Sequence, residues 1–70
     1  MPSQSDVFNK AAECDRLMNL QTDEVQKSTY RCLREMWIAL ANECASLSPE
    51  KFAREFDELE QILTGFQNRR

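Results

Sequence analysis

The sequence contains no histidine, a single glycine and only two prolines among 70 residues. Each shortage removes a class of chemistry. Without histidine, neither a Ser–His–Asp nor a Cys–His arrangement can be assembled within one chain. The Glu-x-x-His pairs of dinuclear carboxylate bundles are excluded for the same reason. One glycine does not make the Gly-rich turns that cradle phosphates. The three cysteines, Cys14, Cys32 and Cys44, are far apart and include no C-x-x-C pair. A zinc site would need a carboxylate as its fourth ligand, so no metal or other cofactor is expected. An odd cysteine count, behind an N-terminus with neither a basic nor an apolar segment, points to reduced thiols in a cytoplasmic protein. All three read as small buried hydrophobes.

Charge of one sign and long apolar runs are scarce as well. The net charge of −3 is spread evenly, each of the segments 1–21, 22–47 and 48–70 carrying −1. No basic stripe exists to neutralise phosphates, so no nucleic-acid partner is expected. The apolar run at Met36–Leu40 is far short of the roughly 20 residues of a membrane span, and no membrane partner is expected either. A catalytic role is not expected.

What the sequence does contain is helical periodicity. Val7, Ala11, Cys14 and Met18 recur at spacings of four, three and four, one face of an amphipathic helix. Ser3 or Ser5 can cap it, and Asp6 belongs in its first turn. Thr22 is a natural cap for a second helix that opens with Asp23 and Glu24. Along that helix Tyr30, Leu33, Trp37, Leu40, Cys44 and Leu47 form a heptad seam. A second apolar line, Val25, Thr29, Cys32, Met36 and Ala39, lies beside it, while Ile38 falls on the polar side. Ser48 and Pro49 open a third helix with the stripe Phe52, Phe56, Leu59, Leu63 and Phe66. Its opposite face offers Glu50–Arg54, Lys51–Glu55 and Arg54–Glu58 at i,i+4. Gly65 is expected to end it.

The pattern predicts an all-α, up-down-up three-helix bundle with helices over about 6–19, 23–47 and 49–64. Residues 1–5 form a disordered leader, 6–66 a single domain and 67–70 a frayed tail whose two arginines suit a helix C-terminus. In the antiparallel first pair, small residues of helix 1 face large ones of helix 2: Ala11 near Leu33, Cys14 near Tyr30, Val7 near Trp37. An alternative keeps the first two helices as a hairpin and uses the third in a dimer. A chain this short buries only about 60% of the surface its unfolded form exposes. The apolar surface of helix 2 therefore asks for two neighbours, and any part they leave bare points to a partner.

Candidate interface residues are Tyr30, Met36, Trp37, Ile38, Phe52 and Phe56. The cluster of Trp37, Tyr30 and Met36 reads as core packing or as an interaction anchor, since Trp and Tyr are common at hot spots. The acids Glu55, Asp57, Glu58 and Glu60 read as a solvated face or as a docking patch for a basic partner.

Two stretches carry a resemblance. Ala11-Ala12-Glu13-Cys14-x-Arg16-Leu17 and Tyr30-x-x-Leu33-x-x-x-Trp37-x-x-Leu40-Ala41-x-Glu43 resemble a group of short, uncharacterised alphaproteobacterial proteins with an A-E-C-x-R-L helix followed by a Y-x-x-L-x-x-x-W-x-x-L-A helix. The resemblance covers roughly residues 8–44 and implies a small helical hairpin in bacterial cytoplasm, without an activity or binding residues. The expected function is a non-catalytic helical module that self-associates, as a dimer, through helices 2 and 3. The alternatives are an adaptor for a helix of another protein, anchored near Trp37, and a thiol redox sensor using Cys14 and Cys32.

Overall fold

The computed structural model describes residues 2–67 and contains three helices: α1 (Gln4–Leu20), α2 (Glu24–Glu43) and α3 (Pro49–Gln67), with a short 3-10 turn at Cys44–Ser46 between the last two. Among the described residues there is no strand. Met1 and residues 68–70, including the expected arginine tail, lie outside them.

Local chemistry sets the helix ends, with several shifts from the sequence expectation. Ser3 caps α1 through a capping box: its hydroxyl accepts from the Asp6 N–H at 3.3 Å, and Asp6 Oδ2 accepts from the Ser3 N–H at 2.9 Å. Gln4 and Ser5, expected in the leader, are therefore the first helical residues. Asp23, not Thr22, caps α2, with its carboxylate accepting from the Val25 N–H at 3.1 Å. That helix stops four residues before the predicted Leu47. The Ser46 hydroxyl donates to the Glu43 carbonyl at 2.9 Å, Leu47 is extended, and Ser48, ahead of Pro49, resists helical geometry. Ser48 caps α3 as expected, accepting from the Lys51 N–H at 3.2 Å. Gly65 does not end α3. Its φ is not positive, and the helix runs on to Gln67 because Phe66 still packs against the core.

The bundle is up-down-up. Gln4 Nε2 donates to the Ala41 carbonyl at 3.0 Å, and Arg34 pairs with Asp15 at 2.7 Å, so α1 and α2 run antiparallel. The Gln4 bond also satisfies one of the last carbonyls of α2, which have no partner within the helix. Lys10 meets Glu60 at 3.6 Å, and Gln67 Nε2 donates to Glu13 at 3.3 Å, so α3 lies parallel to α1. These two ion pairs are the ones present among the described residues. The i,i+4 pairs read from the third helix do not form. Long exposed side chains gain little from holding one geometry.

The core holds Val7, Ala11 and Cys14 from α1, Tyr30, Leu33, Trp37, Leu40 and Ala41 from α2, and Phe52, Leu59 and Leu63 from α3. The buried residues of α1 are smaller than those of α2. Trp37 is at the centre, fully buried, with Phe56 edge-on to its ring at 5.0 Å and 71°. Each fully buried Val, Leu or Phe stabilises the fold by about 1.5–3 kcal/mol. The Trp37 Nε1–H and the Arg34 Nε–H are buried without hydrogen-bond partners. Trp37 is held by shape and apolar contact, not by its polar atom.

Candidate interaction groove between α2 and α3

The two apolar lines of α2 meet different fates. Tyr30, Leu33, Trp37 and Leu40 are buried, and Cys44 and Leu47 are half-buried. The second line is mostly bare: Val25 is 72% exposed and Met36 45%, and Cys32 and Ala39 are exposed too. Both in-chain neighbours pack around the first line. The position next to it that they also cover is Ala41, where a small side chain lets α1 approach.

The bare line leads into an open trough of about 320 Å³ between α2 and α3. Leu40 and Leu59, both buried, form its floor, and the half-exposed Met36 and Ile62 with Ala39 form its walls. Three carboxylates edge it, Glu43 from α2 and Glu55 and Glu58 from α3. The trough follows from the packing: α3 contacts α2 less closely than α1 does, so the cleft on that side stays open. A small-molecule site of this size surrounds its ligand and converges polar groups on it. This one is one-sided, apolar below and acidic at the edge, a shape that suits side chains of another helix.

Of the six residues proposed as an interface, Tyr30, Trp37 and Phe52 lie in the core and Phe56 is half-buried against Trp37. Met36 and Ile38 remain at the surface, Met36 in the trough and Ile38 at 37% exposure on the outer side of α2. Trp37 is thus a packing residue in this fold, since no solvent reaches it. Ile62, which sequence reasoning did not single out, is the missing wall. Its signal was positional, three residues after Leu59 and just off the α3 stripe.

The cysteines also divide. Only Cys14 matches the reading of a buried small hydrophobe; Cys32 is exposed and Cys44 half-buried, and all three are free thiols. Burial pushes the Cys14 thiol up from 9.0 to about 11, the Glu13 carboxylate adds to the rise, and Lys10 partly offsets it. At neutral pH Cys14 is protonated and unreactive, the opposite of a redox-sensing thiolate. Among the described residues no group of three or more His, Cys, Asp or Glu is placed to hold a metal ion, and no helix is long and apolar enough to cross a membrane.

The chain matches no protein-family model, no curated protein and no solved structure.

Proposed function

We propose that this protein is a non-catalytic helical interaction module, cytoplasmic and bacterial in setting, whose α2–α3 trough receives a helix. The observation that carries this reading is the bare second line of α2, continued across the trough by Ile62. Three helices pack, and a row of apolar side chains still faces water. Met36 and Ile62 take the role assigned from sequence to Trp37.

Self-association is the second reading, favoured by the far end of the same apolar line. Leu20 and Val25, which flank the α1–α2 turn, are 65% and 72% exposed. A dimer joined at that end leaves the trough free.

Sedimentation equilibrium combined with binding of synthetic amphipathic helical peptides tests both. The module reading expects a saturable complex whose amide shift changes centre on Met36, Ala39 and Ile62. It expects the complex to vanish in a folded Met36→Glu, Ile62→Glu double variant. A monomer that binds no amphipathic peptide contradicts it.

A further inference from the structure

Resting on that reading, we infer that the trough's occupant is a cationic amphipathic helix of another protein, not a second copy of this chain. The inference comes from the edge of the trough. Glu43 stands on the α2 side and Glu55 and Glu58 on the α3 side, so carboxylates border the apolar floor along both walls. None of the three forms an ion pair among the described residues. The cations four positions before the α3 pair, Lys51 and Arg54, do not reach them. The carboxylates that are neutralised lie elsewhere, Glu60 by Lys10 and Asp15 by Arg34.

The geometry states what fits. Met36 to Glu43 and Glu55 to Ile62 each span about two helical turns, roughly 10 Å at 1.5 Å per residue. A partner helix of three or more turns would lay apolar residues at i, i+3, i+4 and i+7 on Met36, Leu40, Leu59 and Ile62. Lys or Arg at its flanking positions would then meet glutamates on either side. Complementary charge at an apolar seam sets partner choice and association rate. A symmetric dimer through the same trough does the reverse, because it brings two acidic rims together.

The test uses three 15-residue peptides: a Leu/Lys helix with that apolar spacing, a Leu/Glu helix of the same spacing, and a scrambled Leu/Lys peptide with no apolar face. Fluorescence anisotropy of labelled peptide gives affinity, amide shifts give location, and sedimentation gives oligomeric state. The Leu/Lys helix should bind the trough at least tenfold tighter than either control. Glu43→Gln, Glu55→Gln and Glu58→Gln together should weaken it about tenfold, in line with a few tenths of a kcal/mol per exposed pair. Raising salt to 0.5 M should weaken the wild-type complex and leave that triple variant nearly unchanged. Glu43 and Glu58 are exposed and Glu55 is half-buried, and a melting curve confirms that the variant folds.

Equal binding of the Leu/Glu helix, or no loss in the triple variant, overturns the charge argument while the helix-binding reading stands. Equal binding of the scrambled peptide shows mere charge attraction and overturns the inference. A concentration-dependent dimer with shifts at Met36 and Ile62 makes a second copy the occupant and also overturns it. Failure of both helices to bind a monomeric protein removes the parent reading itself.

Discussion

The two sides of α2 both carry apolar residues and live in different environments. One side, Tyr30–Leu33–Trp37–Leu40–Ala41, is sealed by α1 and α3; the other, Val25–Cys32–Met36–Ala39, faces water. The line with the larger apolar side chains, two Leu, a Tyr and the Trp, became the core. The sealed side meets the small residues Val7, Ala11 and Cys14 of α1 and the rings of Phe52 and Phe56 of α3, which interdigitate around Trp37. Among the described residues no element does the same for Met36.

The sharpest break between the sides is expected at Trp37 and Met36, adjacent in sequence. Trp37→Ala should cost about 3–5 kcal/mol through lost burial and a cavity. That is most of the stability of a domain this small. Trp37→Phe should cost distinctly less, because it removes the unpartnered indole N–H along with volume. Urea unfolding followed by circular dichroism reads both. If the two truncations cost the same, Trp37 is not the centre of the core.

A second difference should appear with pH. The Cys14 thiol sits against the sealed side with its pKa raised from 9.0 to about 11. Below pH 9 the thiol is protonated in folded and unfolded chains alike, and its contribution is fully present. Between pH 9 and 11 the unfolded chain releases its proton first. Stability should then fall across that window. Comparing the pH slopes of wild type and Cys14→Ala isolates the effect, since every other group is common to both. Equal slopes would show that Cys14 is solvated.

Smaller effects test how α3 is directed to one side. Ser48 caps the helix that covers Trp37, and Ser48→Ala should cost about 1 kcal/mol. A midpoint unchanged in urea would mean that the cap does not hold the turn. At the bare side, Met36→Ala should change stability by no more than about 0.5 kcal/mol. A loss above about 2 kcal/mol would place Met36 in a core.

Much of this architecture was legible from periodicity. Three helices, their antiparallel and parallel order and the Ser48–Pro49 start all followed from spacing and cap residues. The misses share a cause: they depend on competition between neighbours. Gly65 has the chemistry of a helix end, but Phe66 has core contacts to gain by prolonging α3. Asp23 and Thr22 are both good caps, and only the path of the turn chooses between them. The i,i+4 pairs on α3 are local options, whereas the ion pairs that form cross between helices. The trough was half legible. The surplus on helix 2 was visible, but Trp37 is the residue that sequence composition brings forward, and it went inside. Met36 and Ile62, less distinctive, were left at the surface because they lie just off the packed stripes.

The three free thiols sample both sides of this division without any substitution. Native protein at micromolar concentration, treated with a maleimide and followed by mass spectrometry of its peptides, should label Cys32 at close to the rate of an open thiol. Cys44 should follow more slowly, and Cys14 should react only when the bundle unfolds. Protection of Cys32 to the level of Cys14 in a monomer would mean that the second line of α2 is covered, and would contradict the open interaction face.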